Sequence, residues 1–481
     1  MMNFKKIHVS LLLTALFVWA SPAYAEVELP AIFGNNMVLQ RNSNVSIWGT
    51  ADAESKVSII TSWDGQSYEA TTDREGKWET TIRTPEAGGP FSIRLSDGQE
   101  LVLENVLIGE VWVCSGQSNM EWDLKRTGHP TKDPINNTIL QSGNSNIRLL
   151  TVERHRNLIP QSDIKGSWEE CGPASSPDFS AAAYFFGKML QETLEVPVGL
   201  ISSNWGGTRV EAWMDEQGLR EYDPGILEDR VKGAEHNVST TLFNGMINPL
   251  LGFQIAGVIW YQGESNRNQA DVYAERLELM VKRWRELWDA GEFPFYFCQI
   301  APYGYGEGIN SAFLREAQYK ASKKIHKSGM VTLMDTGEEF DIHPNNKRTA
   351  GERLAYFALG EVYGVEAAYP YAPELEKMEI QDSIAVLSFR NAPSGLMPVN
   401  VPLENFEIAG EDKVFYPAQA MIARRDRKLV EVSSDRVPKP VAVRYAFKNF
   451  VMGSLFNWYG IPASSFRTDG WDEVGSVGQT D

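Results

Sequence analysis

Between residues 105 and about 360, short apolar runs alternate with stretches of helical periodicity, and this alternation restricts the chain more than any other feature. The runs at 106–114, 196–201, 255–261, 293–300 and 330–334 have the length and composition of buried strands. Between them, 179–194, 272–288, 313–325 and 347–359 read as helices, with Phe186, Leu190 and Leu194 falling on one stripe. Strands that alternate with helices imply a parallel sheet covered on both faces, an α/β architecture. The polar stretch 128–176 breaks the pattern and is expected to form long loops over the sheet, at the mouth of a site.

The flanks read differently. Runs at 45–49, 56–60, 77–82 and 91–95 alternate apolar and polar residues, separated by turn signals such as Asp64-Gly65, Glu75-Gly76 and Asp97-Gly98. Residues 26–104 are therefore expected to form a small β-sandwich. Strand patterns return after 370, at 384–389 and 441–446. A chain of 481 residues exceeds one ordinary core. The expected division is a leader at 1–25, the sandwich at 26–104, a catalytic unit at 105–370 and a β-rich region at 371–481. Within the leader, Lys5 and Lys6 precede an apolar stretch at 9–20, and Ala23-Tyr24-Ala25 matches a cleavage site. This predicts export to the periplasm or medium, with no cysteine beside the cleavage site to carry a lipid. No later apolar run is long enough for a membrane span. A net charge of −18 argues against nucleic acid or an anionic membrane as partner. Three cysteines cannot all pair within one chain, and Cys114 and Cys298, in apolar runs, read as buried inert thiols.

The first strand of the alternating region ends in Ser115-Gly116-Gln117-Ser118, which places Ser118 beyond a carboxyl strand end, where open α/β sheets bind ligands. Serine needs a base within hydrogen-bond reach and a third group to orient that base. Of the five histidines beyond the leader, His326 lies among lysines and His129 and His155 lie in the polar stretch. His343 follows a strand and has Asp341 two residues before it, a pairing that can fix the imidazole tautomer. Gly206-Gly207, after another apolar run, can offer a backbone N–H to an oxyanion. Each feature has a plainer use: Ser118 suits a helix cap, the glycines suit a tight turn, and Trp205, Trp260 and Tyr261 suit a core as well as a sugar platform. It is their combination that points to nucleophilic catalysis. There is no Gly-x-Ser-x-Gly elbow around Ser118, no clustered metal-ligand pattern, no phosphate-binding lysine loop and no carboxylate pair that stands out.

With these residues in place, the chain resembles the sialate O-acetylesterases of the SGNH-hydrolase superfamily. Ser115-Gly-Gln-Ser-Asn-Met120 is similar to that family's nucleophile block, Trp205-Gly-Gly-Thr208 to its glycine block, Trp260-Tyr-Gln-Gly-Glu-Ser-Asn266 to its third block and Asp341-Ile-His-Pro344 to its acid–base block. Asn36-Met-Val-Leu-Gln40, Pro197-Val-Gly-Leu200 and the segment from Gly460 to Asp469 extend the likeness over nearly the whole mature chain. The resemblance implies a three-layer α/β/α core and a serine esterase that deacetylates carbohydrates, 9-O-acetylated sialic acid first. Acetylated xylan or another plant glycan is the alternative substrate, and a glycan-binding protein on an inactive scaffold the alternative of another class. It implies Ser118 as nucleophile, His343 as base and Asp341 as its orienting acid, with Asp335 or Glu339 as substitutes because one residue rather than two separates Asp341 from His343. Oxyanion donors are expected among Gly206, Gly207, Gln262 and Asn266, and substrate contacts among Gln117, Asn119, Trp205 and Glu264. No cofactor is implied.

Overall fold

The structure is a computed structural model that describes residues 26–128, 134–233, 235–306 and 308–471. The expected leader and His129 lie outside the described residues. A seven-strand sheet organises the chain: β1 (Glu100–Gly116), β2 (Asn144–Thr151), β3 (Trp168–Cys171), β4 (Val198–Asn204), β5 (Gly257–Tyr261), β6 (Phe295–Cys298) and β7 (Ser328–Val331). Its order is β7-β6-β5-β1-β4-β2-β3, and only β3 runs antiparallel to its neighbour.

The pleat of β1 sends alternate side chains to opposite layers. Val111 and Val113 enter one core, with Trp213, Trp260 and Trp284, while Trp112 and Cys114 enter the other, with Phe186 and Tyr296. Helices α2 (Ala181–Leu194) and α5 (Lys347–Phe357) cover the second face, and α3 (Ala270–Trp288) and α4 (Ala312–Lys324) the first. This is the three-layer α/β/α core of the SGNH type, with an added β-rich region. Trp260 and Tyr261 are core residues, both essentially without exposure.

The stretch expected to form only loops over the sheet contains β2 and β3, which are integral to it. The segment Asn144-Ser-Asn-Ile-Arg-Leu-Leu-Thr151 reads as polar because Arg148 interrupts its apolar residues. Arg148 is nevertheless 2% exposed, its guanidinium bonded to Ser145 O, Asn36 Oδ1 and Asn105 Oδ1. Hydrogen bonds to these partners let a buried charged residue stand in a core strand.

The amino-terminal strands Lys56–Thr61, Ser67–Thr71, Gly88–Ser96 and Val38–Gln40 join the same sheet through the first half of β1, while Asn44–Thr50 pairs with Lys77–Arg83 as a separate ribbon. The β1 strand therefore runs through position 104 without a break. Beyond residue 373, two four-stranded sheets enclose a third core, which Met334 of the catalytic region enters. Among the described residues no helix is long and apolar enough to cross a membrane.

Candidate active site

Strand β1 lies between β4 and β5, so the chain winds one way on one side of β1 and the other way beyond it. The crevice at such a reversal is open because the following loops diverge. Three of the singled-out segments begin there. Gly116 pairs with Asn204 on β4 and with Tyr261 on β5, the last residues of all three strands. The glycine is required: its φ is +142°, and a Cβ would lie 2.2 Å from Tyr261 O. Gln117 N–H then bonds Tyr261 O at 3.0 Å, and the chain turns into the one-turn helix α1 (Ser118–Glu121). Ser118 opens this helix, half-buried, and its backbone N–H has no acceptor among the described residues, as expected of a first-turn amide.

His343 arrives from the loop after β7, and two contacts bring it to the Ser118 turn. Its ring stacks on Trp122, the residue that ends α1, at 4.5 Å and 20°. Asn119, which follows Ser118, donates to the carbonyl of Ile342, which precedes His343, at 3.1 Å. Among the described residues no hydrogen bond joins Ser118 Oγ to His343. Asp341 Oδ1 lies 3.6 Å from Nδ1 and accepts the His343 backbone N–H at 2.8 Å. With only Ile342 between them, the carboxylate closes a tight local turn instead of reaching squarely under the ring. Of the substitutes, Asp335 is committed to a bidentate pair with Arg353 at 2.7 and 2.6 Å, and the Glu339 side chain is exposed. Burial, then the charge of Lys347, hold the His343 imidazole below its usual pKa, with Asp341 opposing them.

The expected oxyanion donors divide. Gly206 sits against Ser118, and a Cβ there would lie 3.1 Å from Ser118 Cβ. Its N–H, however, is taken by Glu121 Oε2 at 2.9 Å. Gly207, at φ +74°, keeps an N–H without an acceptor among the described residues. Gln262 and Asn266 are fully buried, and their amides point into the protein. Gln262 Nε2 donates to Thr208 O and Asn266 Oδ1, and Asn266 Nδ2 donates to Glu211 and Gln269. Both side chains thus brace the glycine loop from behind, and neither presents a free donor to the crevice. Gln117 accepts long bonds from Gly263 and Ser265 N–H at 3.4 Å through Oε1, leaving Nε2 without a described partner. Asn119 donates to Glu264 Oε1 at 2.5 Å, so those two form an internal pair.

Trp205 is half-buried beside Gly206 and carries His236 stacked at 5.2 Å. Arg154 and Arg156 lie 5.5 and 6.0 Å from its ring centre. Arg154 also binds Glu121 at 2.5 Å, whereas Arg156 is exposed with no carboxylate partner among the described residues. Trp122, Glu121, Arg154, Arg156 and Lys347 did not stand out in the sequence. The available signal for Lys347 was a lysine on the apolar stripe of a helix, in phase with Ala350, Gly351, Leu354 and Ala358.

An α/β/α sheet with a serine at its central switch point and a histidine loop folded onto the serine's turn has the architecture of the SGNH-type esterases. Comparison with known proteins narrows the class. The family model described as carbohydrate esterase, sialic acid-specific acetylesterase matches residues 108–359. A carbohydrate acetylesterase from Xanthomonas citri superposes with a TM-score of 0.83 at 34% identity, over 92% of this chain and all of that one. The human sialate O-acetylesterase is 28% identical over 469 residues, covering 88% of this chain and 83% of that protein, and the mouse enzyme is 28% identical over 418 residues, 74% and 77%. The chain belongs to the sialic acid-specific acetylesterase family of carbohydrate esterases, and it is a carbohydrate O-acetylesterase.

Proposed function

We propose that the protein removes O-acetyl groups from sialic acid, with the 9-O-acetyl ester as its main substrate, through an acetyl-Ser118 intermediate. The observation that carries this reading is the bond from Asn119 to Ile342 O, which ties the residue after the nucleophile to the residue before the base. Ser118 Oγ attacks the acetyl carbonyl while His343 takes its proton, and the sugar hydroxyl leaves with that proton. Water, deprotonated by His343, then releases acetate and restores Ser118. Asp341 balances the imidazolium charge from 3.6 Å. The oxyanion is held by the N–H groups of Ser118 and Gly207 and by Gln117 Nε2, three donors without other acceptors among the described residues. One such donor is worth about 3 kcal/mol in the transition state. Trp205 offers an apolar face to the sugar, and Arg156 beside it offers a cation to the carboxylate that distinguishes sialic acid from neutral sugars. The predicted leader supports export of the mature chain.

Acetate release from 9-O-acetylated sialic acid and from acetylated xylan, measured side by side, tests the reading. The wild type is expected to prefer the sialic acid, and Ser118→Ala to lose about a thousandfold or more in rate while staying folded. A preference for xylan overturns the substrate and leaves the chemistry. An active Ser118→Ala overturns the chemistry.

A further inference from the structure

Lys347 breaks two rules at once. It is 1% exposed, and it occupies the first position of α5, where the helix dipole disfavours a cation. Its ammonium donates to Asn119 Oδ1 at 2.8 Å and to Pro344 O at 2.5 Å, and it lies 5.6 Å from the centre of the Trp122 ring. Asn119 donates in turn to Glu264 Oε1 and Ile342 O, while Glu264 Oε2 is buried with no hydrogen-bond partner among the described residues. The carbonyls of both neighbours of His343 are therefore held by one cluster, Ile342 through Asn119 and Pro344 through Lys347. The cluster draws on three separate segments: the nucleophile turn, the loop after β5 and the start of α5. A buried cation with one unpartnered carboxylate oxygen nearby is a costly way to fill a core. Stability alone favours an apolar residue at this place.

We infer that Lys347, acting through Asn119 and Glu264, is the positioning residue that fixes the His343 loop against Ser118. This rests on the reading of Ser118 and His343 as nucleophile and base. Around His343 the charged groups are Lys347 from α5, Arg126 and Glu121 from the segment after Ser118, and Asp341 from its own loop. Around Lys347 they are Glu264, Asp341, Glu338 and the Cys298 thiol. Burial pushes the Lys347 ammonium down to about 7, with Glu264 opposing the change, and burial pushes the Glu264 carboxyl up. Below pH 7 Lys347 is thus a cation beside His343 and favours the neutral imidazole that acts as base. The lysine sets both where the histidine sits and the pH at which it is ready.

The test uses the mature chain with Lys347→Met, Glu264→Gln and Ser118→Ala, assayed on a simple acetyl ester from pH 4.5 to 9, a range chosen to span about two units around the usual histidine value. Lys347→Met is expected to lower kcat by about ten- to a hundredfold with KM little changed, because a displaced base impairs reaction more than binding. Its acid limb in kcat/KM is expected to move up by about one pH unit as the cation is lost. Glu264→Gln keeps the shape of the cluster but removes the carboxylate that sustains the ammonium, so its acid limb moves the same way by less. If Lys347→Met does not fold, Glu264→Gln carries the test alone. Acid limbs that stay in place in the folded variants overturn the inference, since a purely structural lysine alters stability without altering the histidine's titration. Retained activity in Ser118→Ala instead overturns the underlying chemistry, so the two failures are distinguishable.

Discussion

Gly116 directs the turn that presents Ser118. It is the last residue of β1, and the chain can turn there towards Ser118 because no side chain separates it from Tyr261. An alanine would have to adopt a φ of +142° and set its methyl group 2.2 Å from the Tyr261 carbonyl oxygen, so β1 and β5 would have to part. Gly116→Ala is expected to cost about 3 kcal/mol, the upper range for overpacking, and to abolish esterase activity even in the fraction that stays folded. Urea denaturation beside acetate release checks this; a variant that keeps both its midpoint and its rate excludes the steric account. Gly206 meets the same turn from the other side, where its missing side chain leaves room for Ser118 and for the Glu121 carboxylate. Glycine at these two positions was visible in the sequence, but its reason was not. The close approaches come from β4 and β5, whose neighbours in the sheet are far away in the chain.

At the scale of the element, legibility followed apolar content. The runs at 106–114 and 255–261 lie within or around β1 and β5 because strands buried on both faces are nearly continuous in apolar residues. The same rule concealed β2, where Arg148 stands among the apolar residues and its compensating partners come from Asn36 and Asn105, on other segments. The site divided in a similar way. Ser118 and His343 are short-range signals, each carried by its own motif, and the structure brings their turns together. The engagement of the Gln262 and Asn266 amides depends on Thr208, Glu211 and Gln269, and nothing in the local spacing announces it. Arg148→Leu tests whether the hidden strand is held by its hydrogen bonds. The bonds from the buried guanidinium to Ser145 O, Asn36 Oδ1 and Asn105 Oδ1 are lost, and with the acceptors only partly shielded from water this is expected to destabilise the protein by about 1 kcal/mol. Catalysis at the far side of β4 is expected to persist. A denaturation midpoint equal to wild type would show that apolar packing alone suffices there.

The molecule as a whole is joined by β1. Its first half pairs with the amino-terminal strands and its second half leads to Ser118, so the amino-terminal strands and the parallel sheet share one continuous backbone. Side chains repeat the connection. Glu110, on β1, accepts from Gln40 and Arg41 of the amino-terminal region and from Tyr363 beyond α5, while Phe33 packs on Phe253 at 5.5 Å. At the other end, the buried Arg315 of α4 donates to Ser465 Oγ and to the Ala446 and Lys448 carbonyls, which fastens the carboxyl-terminal sheets to the same core. Residues 26–104 have the alternating pattern of an independent sandwich, but in the structure Val38–Gln40 finds its partner in Leu107–Gly109, beyond that segment. A fragment of residues 26–104 is therefore expected to lack native packing, because Val38 and Leu39 belong to the core that β1 completes. The same fragment extended to residue 116 recovers the strand but exposes Trp112 and Cys114, which in the intact chain lie in a core built with α2, β5, β6 and Tyr363 beyond α5, and it is expected to aggregate. Amide spectra of the two fragments check this. Well-dispersed signals from 26–104 would mean that the sandwich folds alone, and that β1 joins two finished units instead of completing one.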